Sequence, residues 1–140
     1  MGRIMAIDYG TRRVGIAVTD PDQIIATPVT TIESRDLFSY LQKYTSKETV
    51  ELIILGYPLK EDGKPTDLTS AVDRLFDRLK IKFPDISIQK HDERYTSRLA
   101  LQSMITAGFN KKARRTKSNL DSISATLILQ SYMEERNITS

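Results

Sequence analysis

Residues 3–19, RIMAIDYGTRRVGIAVT, decide the fold. Two apolar runs, Arg3–Asp8 and Val14–Thr19, flank the turn-forming residues Tyr9-Gly10-Thr11. Short runs of this kind on either side of a glycine-containing turn are typical of a β-hairpin. We therefore predict an antiparallel strand pair here, with the carboxylate of Asp8 at the end of its first strand.

The rest of the chain alternates apolar runs with helical stripes. A third strand is predicted at Ile24–Ile32, where Pro28 favours an edge or an end of the sheet. The other predicted elements are, in order, helix Asp36–Tyr44, strand Val50–Leu55, helix Leu68–Phe83, strand Ile86–His91, helix Ser97–Ala107 and a helix from about Ser118 to Arg136.

This order, β-β-β-α-β-α-β-α-α, predicts an α/β fold with helices on both faces of a mixed sheet. We expect a five-stranded sheet in which three antiparallel strands are followed by parallel strands. The order is similar to that of the ribonuclease H-like fold. A fold alone does not establish a function, which must come from a site.

Composition narrows the class of protein. The chain has 140 residues, 39% of them hydrophobic, which allows one core but not two large lobes. It has no cysteine and one histidine, which excludes disulfides, thiolate nucleophiles and thiolate or histidine-rich metal sites. No run approaches the roughly 18 apolar residues of a membrane span, and the first residues do not resemble a signal peptide. We expect one cytoplasmic domain over residues 1–140, with no membrane partner.

Charge is distributed unevenly along the chain. The formal net charge is +3, yet residues 94–120 hold seven basic residues and no acidic residue. Such an asymmetry attracts polyanions, although a solvated basic loop without a partner is the alternative. Five of these basic residues lie within 111–117, and this clustering favours contact with the phosphate groups of a nucleic acid. The candidate nucleic-acid-binding residues are Arg94, Lys111, Lys112, Arg114, Arg115 and Lys117.

Carboxylates stand at the ends of three predicted elements. Asp8 ends the first strand, Asp92 and Glu93 end the fifth, and Asp121 lies in the first turn of the last helix. Each has a structural alternative: a hairpin turn for Asp8, a helix cap for Asp92 or Glu93, and the helix dipole for Asp121. Strand parity puts Asp92 and Glu93 on opposite faces but does not choose between them.

Together these acids predict a metal-dependent nuclease. Carboxylates that converge beside a basic segment suit Mg²⁺ or Mn²⁺ rather than zinc. Two such ions about 4 Å apart can activate a water and stabilise the leaving oxygen in phosphodiester cleavage. No GxxxxGK[ST] or HExxH motif supports another chemistry, and a lone histidine, His91, is more often a hydrogen-bonded structural residue.

Four motifs extend from residue 4 to about residue 132. They are Asp8-Tyr9-Gly10-Thr11-Arg12-Arg13-Val14-Gly15, Gly56-Tyr57-Pro58-Leu59 with Asp62-Gly63, Asp92-Glu93-Arg94-Tyr95-Thr96-Ser97, and Lys117 through Asp121-Ser122 with Ser124-Ala125. In this order they resemble the DxGxxRxG, GLP…G, DERxTS and KxxxDSxSA motifs of the YqgF family, also called RuvX, the pre-16S rRNA nucleases. One motif would be weak, but the set is highly specific. Tyr57 replaces a leucine of the family, and no acid ends the fourth strand, where related resolvases usually have one.

The resemblance implies a ribonuclease H-like nuclease that processes the 5′ end of precursor 16S rRNA with Mg²⁺ or Mn²⁺. It implies Asp8, Glu93 and Asp121 as catalytic and metal-binding residues, with Arg94 and Lys117 facing phosphate. The structural motif residues that carry over are Gly10, Arg13, Gly15, Gly56 and Pro58. Precursor rRNA is the favoured partner and structured DNA the second, and we expect a monomer or weak homodimer.

Three other functions fit parts of the sequence. A four-way DNA junction resolvase makes two symmetric cuts and therefore predicts a homodimer. A non-enzymatic RNA-binding assembly factor predicts salt-sensitive binding that survives loss of the acids. A phosphotransferase of the actin–hexokinase kind matches Asp8-Tyr9-Gly10-Thr11, but it needs two related lobes and the length allows one.

Overall fold

A computed structural model describes residues 2–60, 62–92 and 117–139, without the side chains of 117–121 and 137–139. Its elements are β1 (Arg3–Tyr9), β2 (Arg13–Thr19), β3 (Ala26–Glu33), α1 (Leu37–Lys47), β4 (Val50–Tyr57), α2 (Thr69–Lys82), β5 (Ser87–Asp92) and α3 (Lys117–Thr139). A 3₁₀ turn, Ser34–Asp36, leads into α1. The predicted helix at 97–107 lies outside the described residues, and the other predicted elements form in the predicted order. None of the described helices combines the length and the apolar character needed to cross a membrane.

The strands form one five-stranded sheet in the order β3-β2-β1-β4-β5. β2 pairs antiparallel with both β1 and β3, whereas β4 pairs parallel with both β1 and β5. Helices link the parallel strands because a parallel return requires a crossover connection. The predicted mixed sheet is thereby confirmed. The carboxyl ends of β1, β4 and β5 meet at one edge, which we call the carboxyl edge.

A tight turn closes the hairpin between β1 and β2. The N–H of Gly10 donates to the carbonyl oxygen of Arg13 at 2.9 Å. A Cβ atom at position 10 would lie 2.7 Å from that same oxygen, so this position has no space for a side chain. Ser34 is attached to the turn, because its N–H donates to the carbonyl oxygen of Arg12 at 2.9 Å and its hydroxyl donates to that of Thr11 at 2.8 Å.

β3 starts at Ala26, two residues later than predicted. The carboxylate of Asp20 accepts hydrogen bonds from the N–H groups of Ile24 and Ile25 at 2.8 and 2.7 Å. These bonds hold the pKa of Asp20 below its ordinary value, and the bond from Ile25 has the largest effect. The two isoleucine side chains are 68% and 64% exposed. This apolar pair belongs to a turn because side-chain capping competes with the sheet ladder for its N–H groups.

Each face of the sheet has its own apolar core, which we call the α1–α2 side and the α3 side. The buried residues of the α1–α2 side are Met5, Ile7, Val14, Ile16, Val18, Leu37, Leu41, Val50, Ile53, Leu55, Val72, Leu75 and Leu79. Those of the α3 side are Ile4, Ala6, Ala17, Leu52, Ile54, Ala125, Ile128, Leu129 and Met133. Because strand residues alternate between faces, these two sets also show which side receives the polar residues at the strand ends.

Candidate active site

Asp8 lies near the carboxyl end of β1, inside the sheet ladder. It pairs with Gly15 of β2, and the parallel pair just before it joins Ile7 to Leu55 of β4. Ala6, two residues earlier, belongs to the α3 core, so alternation puts the half-buried Asp8 on the α3 side. A residue paired within the ladder is not the turn former that the sequence left open as an alternative.

Two glycines adjoin Asp8 on the neighbouring strands. Gly15 is its partner on β2, and Gly56 follows Leu55, the last residue paired with β1, on β4. Side chains directly opposite one another in a sheet have Cβ atoms roughly 4.5–5.5 Å apart, and glycine has no Cβ. Neither neighbouring strand therefore places a side chain directly opposite the Asp8 carboxylate.

His91, near the carboxyl end of β5, is buried against α3. Its Nε2 lies 2.9 Å from Oγ of Ser131, and its Nδ1 lies 3.6 Å from Oε2 of Glu135. Its ring meets that of Tyr132 edge-on, with the centroids 6.4 Å apart. His91 therefore joins β5 to α3 as a hydrogen-bonded structural residue, which is the role that the sequence favoured.

Asp92 follows His91 at the end of β5 and pairs with Tyr57 of β4. Since His91 contacts α3, alternation places Asp92 on the α1–α2 side, together with Lys90. The sheet therefore separates Asp92 from Asp8.

A polar cluster occupies the α1–α2 side at this point. Lys90 donates a hydrogen bond to Asp73 of α2 at 2.6 Å, and the hydroxyl of Tyr57 donates to the same carboxylate at 3.2 Å. The bond between Lys90 and Asp73 lowers the pKa of Asp73 and raises the pKa of Lys90. Desolvation and then the bond to Asp73 raise the pKa of Tyr57. The tyrosine that replaces the leucine of the motif is thus anchored to α2.

The loop after β4 is also tied to α2. The hydroxyl of Thr69 donates to the carbonyl oxygen of Pro58 at 2.5 Å and accepts from the N–H of Thr66 at 2.8 Å. Pro58 is thereby held beside the first turn of α2, where it supports the position of the loop.

α3 begins at Lys117, and this moves Asp121 out of the first turn of the helix. The prediction of a carboxylate in that turn is wrong, because the first turn holds no acidic residue. The helix dipole acts within the first turn, so it explains Asp121 less well than the sequence suggested. Position 121 lies one turn before Ala125, which packs in the α3 core.

The remaining predicted site residues lie outside the described part of the chain. These are Glu93, Arg94, Lys111, Lys112, Arg114 and Arg115, together with the side chains of Lys117 and Asp121. Within the described ranges, no three histidine or carboxylate side chains are grouped so as to hold a metal ion.

Sequence reasoning missed a group of arginines near the same edge. Arg35, Arg74 and Arg78 line a cavity of about 310 Å³ together with Tyr9, the residue after Asp8. Arg74 and Arg78 have the spacing of neighbours on one helix face, which is a signal available in the sequence. Arg35 is remote from them in sequence, so only the fold brings the three together.

The family model of RuvX, described as Holliday junction resolvase, matches residues 2–135. The chain belongs to the RuvX family. An Amoebophilus asiaticus protein named "Putative pre-16S rRNA nuclease" is 53% identical over 133 residues, which are 95% of this chain and 94% of that protein. A protein of the same name from Flavobacterium psychrophilum is 44% identical over 136 residues, which are 97% of this chain and 99% of that protein.

Among solved structures, this RuvX chain is similar to T. thermophilus RuvC in complex with Holliday junction substrate. The TM-score is 0.58 at 12% identity, and the match covers 95% of this chain and 96% of RuvC. At that identity the likeness concerns the fold. It confirms the ribonuclease H-like architecture predicted from the order of elements.

Proposed function

We propose that this RuvX protein is a metal-dependent nuclease that hydrolyses phosphodiester bonds at the 5′ end of precursor 16S rRNA during ribosome biogenesis. The position of Asp8 carries the proposal, because it lies at the carboxyl edge between Gly15 and Gly56, on the side that α3 covers. Relatives named as nucleases of this RNA support the substrate class. The protein then acts in the cytoplasm, as a monomer or weak homodimer.

Glu93 is the proposed second carboxylate of the site, in preference to Asp92. Asp8 and His91 both lie on the α3 side, whereas Asp92 lies on the opposite side. Every second residue of a strand shares a face. If the alternation of β5 is continued by one residue, position 93 falls on the same side as His91 and Asp8. This parity favours Glu93.

Asp121 is the proposed third carboxylate. Ala6 of β1 and Ala125 of α3 pack in the same core. Asp8 is one strand repeat beyond Ala6, and Asp121 is one helical turn before Ala125. The spacing of positions 8 and 121 from these two packed alanines supports the proposal that the two acids converge.

Carboxylate oxygens are hard ligands, so this set fits Mg²⁺ or Mn²⁺ rather than zinc. Such an ion, when bound, activates a water and stabilises charge on the leaving oxygen. His91 is not proposed as a ligand, because both of its ring nitrogens contact α3. In this proposal, the carboxylate oxygens of Asp8, Glu93 and Asp121 are the ligands that would hold the ion at the carboxyl edge.

The segment at 94–120 is proposed to hold the phosphate backbone of the RNA. Its contacts would come from Arg94, Lys111, Lys112, Arg114, Arg115 and Lys117, in a stretch with no acidic residue. Binding through such residues weakens as the salt concentration rises, because it releases counterions from the nucleic acid.

The test is cleavage of labelled precursor 16S rRNA beside a four-way DNA junction, with Mn²⁺ and with EDTA. We expect Asp8→Asn to lower the rate of RNA cleavage at least about a hundredfold, because it removes a charged ligand while keeping the side-chain shape. Glu93→Gln should behave alike. Asp92→Asn is the matched control, since it makes the same change on the opposite face and should leave the rate within about twofold.

Wild-type cleavage by Asp8→Asn would overturn the proposed site. Loss of activity in Asp92→Asn but not in Glu93→Gln would move the second ligand to Asp92. Paired cuts in the junction with the RNA intact would assign the second candidate function, a junction resolvase, which the description of the family names.

A further inference from the structure

Two clefts meet at the carboxyl edge, beside the turn between β1 and β2. The first is the cavity of about 310 Å³, whose lining includes Tyr9, Phe38, Arg35, Arg74 and Arg78. The second is a shallow cleft lined by Arg12, Arg13, Glu33, Ser34 and Arg35. Because Ser34 and Arg35 line both, the two are continuous. We call them together the arginine cleft.

The charge of the arginine cleft is strongly positive. Five arginines and one carboxylate, that of Glu33, are among its lining residues. Glu33 pairs with Nε of Arg35 at 2.6 Å, but the two side chains are 57% and 80% exposed. An ion pair this exposed contributes little free energy, so an incoming phosphate can compete for Arg35.

Packing orients one of the guanidinium groups. Arg78 lies over the ring of Phe38, with Cζ 4.4 Å from the ring centroid. A guanidinium that stacks by its face still presents N–H donors along its edge, and that edge fits two phosphate oxygens at once. Arg74 is exposed one turn earlier on the same helix.

The arginine cleft leads around the edge to Asp8. Tyr9 packs against the α1–α2 core, whereas Asp8, its neighbour in sequence, is on the α3 side. The turn that follows carries Arg12 and Arg13. Val14 belongs to the α1–α2 core, so alternation along β2 puts Arg13 back on the side of Asp8.

We infer that the arginine cleft binds the phosphate backbone of the RNA strand whose cleaved bond lies at Asp8. The strand crosses the carboxyl edge at the turn between β1 and β2 and continues along Arg35 and Arg74 on the α1–α2 side. This inference rests on the proposed function. It adds a second phosphate-binding surface, which extends from the turn between β1 and β2 to the face of the sheet opposite α3.

The test is equilibrium binding of fluorescent single-stranded precursor rRNA over a range of salt concentrations, in EDTA so that binding alone is measured. Arg35→Ala/Arg74→Ala removes two exposed charges from the cleft. We expect Kd to rise about tenfold at about 0.1 M salt. The salt slope should fall by about 1.4, because each phosphate that the variant no longer neutralises lowers the slope by about 0.7.

Lys43→Ala/Lys47→Ala is the matched control, because it removes two exposed charges from α1 away from the cleft lining. It should change Kd less than about twofold. The single variant Arg74→Gln should show about half the change in slope, which provides an independent reading if the double variant folds poorly.

If the arginine and lysine variants change Kd and the salt slope equally, the arginine cleft is not the binding surface. The proposed nuclease function would not be affected by that result. Weaker binding by the arginine variants, with wild-type protein that cuts no RNA, would support the cleft and defeat the proposed nuclease. Wild-type protein that does not bind the RNA would overturn both.

Discussion

The two faces of the sheet are built from different side chains. The α1–α2 side buries large aliphatic residues from two helices and from strands β1, β2 and β4. Among the helical residues are Leu37, Leu41 and Leu79. On the α3 side, the described core comes from the sheet and one helix and includes three alanines, Ala6, Ala17 and Ala125. Small residues allow a helix to approach a sheet closely. We infer that the first face supplies most of the stability, and that the second brings α3 close to β1.

Leu41→Ala is expected to have the largest effect on stability. The side chain is fully buried on the α1–α2 side, so its loss leaves a cavity and should lower the free energy of unfolding by about 2–5 kcal/mol. Urea denaturation measures this. Ile81→Ala is the control, because Ile81 is 81% exposed and its truncation should cost less than about 0.5 kcal/mol. Similar values for the two variants would mean that the core of the α1–α2 side does not supply the expected stability.

Ala125→Leu should destabilise less but should also impair cleavage. Overpacking the α3 core is expected to cost about 1–3 kcal/mol, and it pushes the helix away from β1. We expect a slower cleavage rate even where the variant is fully folded. Gln130→Leu, an exposed change on the same helix, is the comparison. If both variants cut RNA at the wild-type rate, close packing of α3 is not needed for activity.

Ser131→Ala tests the contact between His91 and α3. It leaves Nε2 of a buried histidine without its partner, which should lower the free energy of unfolding by about 1–2 kcal/mol. Ser70→Ala, at an exposed position of α2, should be nearly neutral. Thermal unfolding of the two variants distinguishes them, and no difference would mean that the bond between His91 and Ser131 does not stabilise the attachment of β5 to α3.

Asp73→Asn should give the smallest change in stability, which is present at neutral pH and disappears in acid. The bond from Lys90 lowers the pKa of Asp73, so its contribution is present above the unfolded value of about 3.9 and is lost as the pH falls through the folded value. Because the side chain is 43% exposed, we expect a loss of at most about 0.5 kcal/mol at pH 7. The variant should lose less stability than wild type between neutral pH and about pH 3. Asp85→Asn, an exposed change, should follow wild type.

Much of the fold could be predicted because apolar periodicity marks strands and helices directly. Every strand start was found within two residues. Ile24 and Ile25 were assigned to β3 wrongly because the carboxylate of Asp20 captures their N–H groups, and periodicity does not register such capping. The start of α3 was missed by one residue, and this changed the expected place of Asp121.

Less of the candidate site could be predicted, because it depends on which face each helix covers. Strand alternation alone predicts that Asp92 and Glu93 lie on opposite faces of the sheet. Which of those faces α3 covers is shown only by the contact between His91 and Ser131, which are 40 residues apart. The cavity around Arg35 and Arg74 requires the approach of α1 to α2. No local sequence pattern contains that information.

The position of α3 at the end of the described sequence also affects how the chain folds during synthesis. The five described strands all precede α3 in the sequence, so the strands leave the ribosome before α3 does. Among the described residues, those of α3 cover Ile4, Leu52 and Ile54, so this contact forms only after α3 is available. Exposed apolar surface of this kind promotes aggregation and recruits chaperones during synthesis. Packing of α3, the last described element, is thus a late step in the burial of this face.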